Sequence, residues 1–212
     1  MHTENEKNRG YQKIEGAVHA FNFDFLDKTV LDIGSSTGGF TEIALENGAK
    51  KVIAVEKGTN QMKTPLRFDS RIELHEKTDI FNVKVQSPQK KTPKNNTGNE
   101  TTEQESEVII EKPDVIIADV SFLSLTKILS YAKKYLSDKN TEFLVMLKPQ
   151  FEAKPNQLNK GIVKNEKVRR EIIKSFEYWL KQNNFIVFKK RDNDLHGRHG
   201  NIERFYYLKK LS

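Results

Sequence analysis

Apolar and polar positions follow two periods along this chain. Tyr11, Ile14, Val18 and Phe21 recur at intervals of three and four, which predicts one buried face of an amphipathic helix. The run from Val30 to Ile33 is apolar apart from Asp32 and opens directly into Gly34-Ser35-Ser36-Thr37-Gly38-Gly39-Phe40. That is a strand, a glycine turn, and a helix over about Gly39 to Glu46 that Asn47-Gly48 stops. Further strands are predicted at Lys51 to Val55, about Arg71 to Leu74, Asp114 to Ala118 and Glu142 to Leu147. Helices are predicted over Ser124 to Tyr135 and Glu166 to Gln182, the second after a long loop from Lys148 to Lys164 with two prolines. Two β runs, Phe185 to Lys190 and Glu203 to Lys209, close the chain.

Alternating β and α elements followed by a terminal strand pair imply an α/β fold. Its sheet is expected to be mostly parallel with one antiparallel strand. One stretch breaks the pattern. Lys84 to Glu107 is rich in Lys, Gln, Thr, Asn, Pro and Glu and nearly free of apolar residues, so it is expected to be a disordered surface insertion. The rest, over residues 1–212, reads as a single domain, a length sufficient for a sizeable core.

Charge adds a partner class. The formal net charge is +7. From Lys148 to Ser212 there are 16 Lys and Arg against 7 Asp and Glu, so the C-terminal third carries more than the whole surplus. A basic face of this kind suits a polyanion, with nucleic acid ahead of acidic lipid. The chain has no cysteine, which excludes disulfides, thiolate catalysis and Cys-bound zinc. His196 and His199 lack supporting ligands at metal-binding spacing, so no metal is expected. No apolar run approaches a membrane span, and Met1 to Asn5 is polar without a secretory pattern. A cytoplasmic protein without membrane contact is the expectation.

In open α/β sheets ligands bind beyond the carboxyl ends of the strands, so the residue ending each strand is the one to read. The first strand ends on the turn from Gly34 to Gly39. The second ends on Glu56, well placed for the hydroxyls of a ribose. The turn reads G-S-S-T-G-G and lacks the G-x-G-x-x-G of dinucleotide binders; its crowded small residues suit a nucleoside cofactor without pyrophosphate, S-adenosylmethionine above all. Asp32, Gly34, Ser35, Ser36, Gly38, Gly39, Phe40, Glu56, Asp79 and Asp119 are the candidate cofactor residues, with Asp32 supporting the loop and Asp79 near the adenine edge. Asp119 ends the fourth strand and Lys148 the fifth, and strand order in such folds turns both into one crevice. Glu203 opens the last strand and can reach the same cleft.

Four segments, in order, carry a resemblance. They are Leu31 to Thr41, Ala118 to Leu125, Leu147 to Glu152 and Gly200 to Glu203. In these the chain resembles the FtsJ-like ribose 2′-O-methyltransferases, most closely their hemolysin A (TlyA-type) rRNA methyltransferase branch. The resemblance implies a Rossmann-like class I methyltransferase with a seven-stranded sheet, S-adenosyl-L-methionine as cofactor, and RNA, as rRNA or ribosomal subunits, as partner. It also implies a Lys-Asp-Lys-Glu catalytic tetrad, which falls on Lys13, Asp119, Lys148 and Glu203. Here Lys13 follows Arg9-Gly10-Tyr11-Gln12 where the family has Arg-Gly-Gly-Leu, and Asp192-Asn193-Asp194 stands where a Ser-Pro pair is usual. Members of the branch usually carry an N-terminal S4 RNA-binding domain; none is expected in the dozen residues before Lys13.

In this scheme Lys148 is the base for the ribose hydroxyl. Lys13 acts on it by like-charge repulsion, and Asp119 and Glu203 orient the two ammonium groups. Three other readings stand beside it. They are a non-catalytic RNA-binding or ribosome-assembly protein on the same fold, a membrane-active hemolysin, and a nicotinamide-dependent oxidoreductase.

Overall fold

A computed structural model describes residues 8–86, 107–195, 197 and 200–211. A seven-stranded sheet forms its centre. In chain order the elements are α1 (Arg9–Phe21), β1 (Thr29–Ile33), α2 (Gly39–Glu46), β2 (Lys51–Val55), β3 (Ile72–His75), β4 (Val83–Val85), β5 (Val108–Ile110), β6 (Val115–Ala118), α3 (Leu125–Tyr135), β7 (Glu142–Leu147), α4 (Pro149–Glu152), α5 (Glu166–Gln182), β8 (Phe185–Asp192) and β9 (Arg204–Lys210). The main sheet has the order β3-β2-β1-β6-β7-β9-β8. Its first five strands run parallel, and β9 lies antiparallel to both β7 and β8. β1, β6 and β7 are neighbours, as the sequence implied, so the loops after them meet at one end of the sheet.

The central strands are apolar on both faces because helices cover both. Every residue of β1 and β6 is buried. On one face Ile128, Leu129 and Ala132 of α3 and Ile173, Phe176 and Leu180 of α5 pack with Leu31, Ile53, Ile116 and Val145. On the other, Ile14, Val18 and Phe21 of α1 and Ile43 and Ala44 of α2 pack with Val30, Val52, Ile117 and Leu144. Alternate residues of one strand thus serve opposite cores. Each such Val, Leu, Ile or Phe side chain contributes roughly 1.5–3 kcal/mol on burial.

Several predicted boundaries shift. β3 begins one residue later than expected and β6 starts at Val115; β8 runs on to Asp192, and β9 starts just after Glu203. Ser124 is the N-cap of α3, its hydroxyl accepting from the Thr126 N–H. Lys148 to Lys164 contains the short helix α4, which Pro149 opens. The described ends of the stretch from Lys84 to Glu107 are structured. β4 and β5 pair as a second, two-stranded parallel sheet, and Lys84 forms an ion pair with Glu107. Residues 87–106, the bulk of that stretch, and His196 and His199 lie outside the described residues. The basic C-terminal third is less free than its composition suggested. Arg169 and Arg204 share Asp192, Lys190 pairs with Glu177, and Lys209 pairs with Glu142.

Candidate active site

The carboxyl ends of β1, β2, β6 and β7 open into two adjoining clefts. One, of about 580 Å³, lies over Gly34, Ser36, Glu56, Gln61, Asp79 and Ile80. The other, of about 620 Å³, lies over Lys13, Ser35, Asp119, Lys148, Gln150 and Glu203. Gly34, Ser36, Asp119, Ser121 and Phe122 border both, so the two form one crevice divided at the glycine turn.

The turn is shaped by backbone. Gly34 has φ +80°, and a Cβ there would lie 3.2 Å from the Asp119 carbonyl oxygen, which ties the end of β1 closely to that of β6. Ser35, 4% exposed, has a hydroxyl with no hydrogen-bond partner in the structure. Behind the turn Asp32 is fully buried; its Oδ2 accepts from the Thr41 hydroxyl of α2 at 2.7 Å, and its Oδ1 has no partner. Asp32 therefore braces β1 against α2 beneath the turn. Burial pushes its carboxyl up to about 7; the Thr41 hydrogen bond opposes this, and the charges of Asp119 and Glu56 add to it.

Glu56 is nearly buried and well occupied. Its Oε2 accepts from the Ser36 N–H at 2.9 Å, and its Oε1 accepts from the Gly58 N–H at 2.6 Å and from Gln61 Nε2 at 3.2 Å. Asp79 caps a single 3-10 turn through the Phe81 N–H and pairs with Lys57 at 2.9 Å. Phe40 belongs to the core under α2, its ring 6.0 Å from that of Phe205, with one edge on the cleft.

Two of the glycines make room for packed neighbours, and of these Gly39 also lines the larger cleft. A Cβ on Gly38 would lie 2.4 Å from Leu66 Cδ2, and Gly38 borders neither cleft. A Cβ on Gly39 would lie 2.4 Å from the Tyr11 nitrogen and 2.7 Å from the Gly10 carbonyl carbon. Gly39 thus lets α1 seat its first turn on α2, which is how Lys13 reaches the crevice. Asn8 adds to that seat, capping α1 through the Tyr11 N–H and donating to Glu42. Gly39→Ala is expected to displace α1. A loss of about 1–3 kcal/mol is expected from overpacking, read as a fall in Tm of about 2–4 °C per kcal/mol. An unchanged Tm would mean that α1 is seated otherwise.

Four charged residues from four distant points of the chain converge in the larger cleft. Lys148 Nζ lies 2.5 Å from Asp119 Oδ1 and donates to the Ser121 hydroxyl at 2.9 Å. Lys13 Nζ lies 2.7 Å from Glu203 Oε2. Lys13 and Lys148 are each 8% exposed and Glu203 2%. Lysines are rarely buried unless paired, and both are paired here. Each ammonium has its own carboxylate, which offsets the like-charge repulsion expected between the two lysines.

Neighbours that sequence reasoning passed over hold this set in place. Gln150 Nε2 donates to Glu203 Oε1 at 3.4 Å. The buried Asn201 accepts from the Val163 N–H at 3.0 Å and donates to the Gly161 carbonyl at 3.1 Å, and Arg169 donates to the Ile202 carbonyl at 3.2 Å. These contacts pin the segment leading to Glu203. Glu152 accepts from the Ser124 hydroxyl and the Leu125 N–H, both at 2.7 Å, and locks α4 to α3. Gln150, Glu152 and Asn201 all sit within stretches the motifs flagged; their partners are remote in sequence, so only the fold identifies them. Phe122 is 91% exposed with φ +63°, its ring 5.2 Å from that of Phe151 at the cleft mouth.

An open α/β sheet with a glycine turn, a strand-end carboxylate and two lysine–carboxylate pairs at its switch point defines a Rossmann-like methyltransferase. The match to the FtsJ-like methyltransferase family spans residues 7–210, and the chain belongs to that family. The 23S rRNA (cytidine-2′-O)-methyltransferase TlyA of Campylobacter jejuni is 32% identical over 95% of this chain and 70% of its own length. Hemolysin A of Brachyspira hyodysenteriae is 34% identical over 92% of this chain and 73% of its own. A hemolysin-type protein of Lactococcus lactis superposes with a TM-score of 0.81 at 33% identity, over 99% of this chain and 90% of that one. Among the described residues no helix is long and apolar enough to cross a membrane, and no group of His, Cys, Asp and Glu could hold a metal ion.

Proposed function

We propose that this protein is an S-adenosylmethionine-dependent ribosomal RNA 2′-O-methyltransferase of the TlyA type. Membership of the FtsJ-like family implies the cofactor. The substrate class is that of the Campylobacter jejuni relative, a 23S rRNA methyltransferase by name. The single observation that carries the reading is the convergence of Lys13, Asp119, Lys148 and Glu203 beside the glycine turn.

The residues present suit this cofactor. Asp119 and Glu56 lie close enough to Asp32 for their charges to add to the effect of burial on its carboxyl. Ser36 stands where a dinucleotide-binding turn has its second glycine, which argues against a nicotinamide dinucleotide. The unpartnered Ser35 hydroxyl offers a polar contact at the turn. Glu56 would hold the ribose hydroxyls, with Asp79 and Ile80 at the adenine end. When bound, S-adenosylmethionine supplies an electrophilic methyl group on a sulfonium.

The chain's own work is alignment and proton transfer. The target ribose 2′-hydroxyl would enter over Lys148, whose amine form accepts the hydroxyl proton as the oxygen attacks the methyl carbon. Asp119 and Ser121 orient Lys148, and the Lys13–Glu203 pair lines the same cleft, its cation available to the developing oxyanion. Alignment contributes several kcal/mol by itself. A soluble RNA partner in the cytoplasm accords with this reading and calls for no membrane contact.

The direct test is transfer of labelled methyl from S-adenosylmethionine to rRNA or ribosomal subunits lacking the modification. The expected product is one ribose resistant to alkaline cleavage. Cofactor binding without transfer to any RNA form would favour the non-catalytic, RNA-binding reading. Phe122, exposed at the mouth in a backbone region that aromatic residues seldom occupy, is suited to stack on a nucleobase. Phe122→Ala is expected to lower kcat/KM for RNA by the worth of one stacked base, about 1–3 kcal/mol, with cofactor affinity unchanged. Equal kcat/KM values would assign the ring no part in RNA binding.

A further inference from the structure

The carboxylate expected to hold the cofactor's ribose is already engaged, and one of its three donors differs in kind from the others. The Ser36 and Gly58 N–H groups are backbone donors at 2.9 and 2.6 Å, fixed by the turn and by the bend after β2. The third donor is the side-chain amide of Gln61, at 3.2 Å. Gln61 lies on an exposed stretch, yet its amide reaches back over Gly58 to Glu56, and its Oε1 accepts from the Ser36 hydroxyl at 3.1 Å. It also borders the cofactor side of the crevice.

The local sequence is built for this reach. A Cβ on Gly58 would lie 1.9 Å from Gln61 Nε2, so the amide fills the space that any other side chain would need. Next to it Met62 is 3% exposed and anchors the backbone, leaving the Gln61 side chain free to turn on a fixed base. Glu56, Gly58 and Gln61 thus form a closed unit.

A carboxylate offers about four acceptor sites. Two backbone donors leave room for two more, the number of hydroxyls a ribose 2′,3′-diol presents. Gln61 occupies one of those places. We infer that Gln61 is a latch on the ribose site: it takes the place of a ribose hydroxyl on Glu56 and must swing away before the diol can bind. This rests on the methyltransferase reading and adds to it a residue that sets cofactor affinity and release.

The test is calorimetric titration of wild-type and Gln61→Ala protein with S-adenosylhomocysteine and with its 2′,3′-dideoxy analogue. Removing the latch spares the ligand one hydrogen-bond exchange, so Gln61→Ala should bind S-adenosylhomocysteine about three- to tenfold tighter. The dideoxy analogue, which has no diol to displace the amide, should bind both proteins equally. Weaker or unchanged S-adenosylhomocysteine binding by Gln61→Ala would overturn the latch and leave the methyltransferase reading intact, since wild type still binds. Equal tightening for both ligands would overturn it too, showing a general opening of the cleft. Failure of wild type to bind S-adenosylhomocysteine at all would overturn the cofactor assignment and the latch with it.

Discussion

Lys148→Ala should lower methyl transfer to RNA by about 10²–10⁴-fold, the usual worth of a positioned acid–base group. S-adenosylhomocysteine affinity should stay close to that of wild type. The lysine is held by two side chains, Asp119 and Ser121, both beyond the end of β6. Asp119 as a whole keeps partial solvent access at 19% of its side chain, which limits the cost of losing its partner. The fold should survive. Lys148→Arg distinguishes two roles. Arginine retains the positive charge but does not give up its proton in proteins. If Lys148 takes the hydroxyl proton, Lys148→Arg is as inactive as Lys148→Ala; substantial recovery would reduce its role to that of a cation. Single-turnover transfer measured beside calorimetry separates chemistry from binding.

The second large effect is on stability and its dependence on pH. Asp32 is fully buried in the folded chain, with its carboxyl pushed to about 7 from an ordinary value of 3.8. Below about pH 4 it is protonated in both folded and unfolded chains. Between there and pH 7 the folded chain binds the proton more tightly, so stability falls as pH rises through this window. The whole span is worth about 4 kcal/mol, from roughly three pH units at 1.36 kcal/mol each. Asp32→Asn removes the titration. Urea unfolding of both proteins should show the stability of wild type relative to Asp32→Asn falling by about 2–3 kcal/mol between pH 5 and pH 8. Reading the difference between the two cancels other titrating groups. A constant difference would mean that Asp32 is already ionised at pH 5.

Both effects arise from a fold that places charge where it is costly. The carboxylates of Asp32, Glu56 and Asp119 gather at the ends of three adjacent strands, and two lysines are buried among acids in the neighbouring cleft. A sheet selected for stability alone would place apolar residues at such positions. The gathering is intelligible as preparation for a cationic ligand and for a proton transfer.

The sequence by itself determined the order and type of nearly every element, because hydrophobic period is a local property. A strand buried on both faces is apolar throughout, and an amphipathic helix repeats every three to four residues. That logic located β1, β2, β6 and β7, and with them Asp119 and Lys148, since the residue after an apolar run in such a fold lies at the ligand end of the sheet. Glu203 followed from its place at the start of the last strand, and Lys13 was reached through motif resemblance. Tertiary structure alone decided how the four charges pair. Lys13 is joined to Glu203 and Lys148 to Asp119 across long stretches of chain, and no local period encodes a contact of that range. It also decided what the glycines are for. Gly38 and Gly39 read as one turn with Gly34, yet Gly38 makes room for Leu66, and Gly39 for the backbone of α1. A missing side chain carries no sign of which neighbour needs its space; only the packed neighbours supply that.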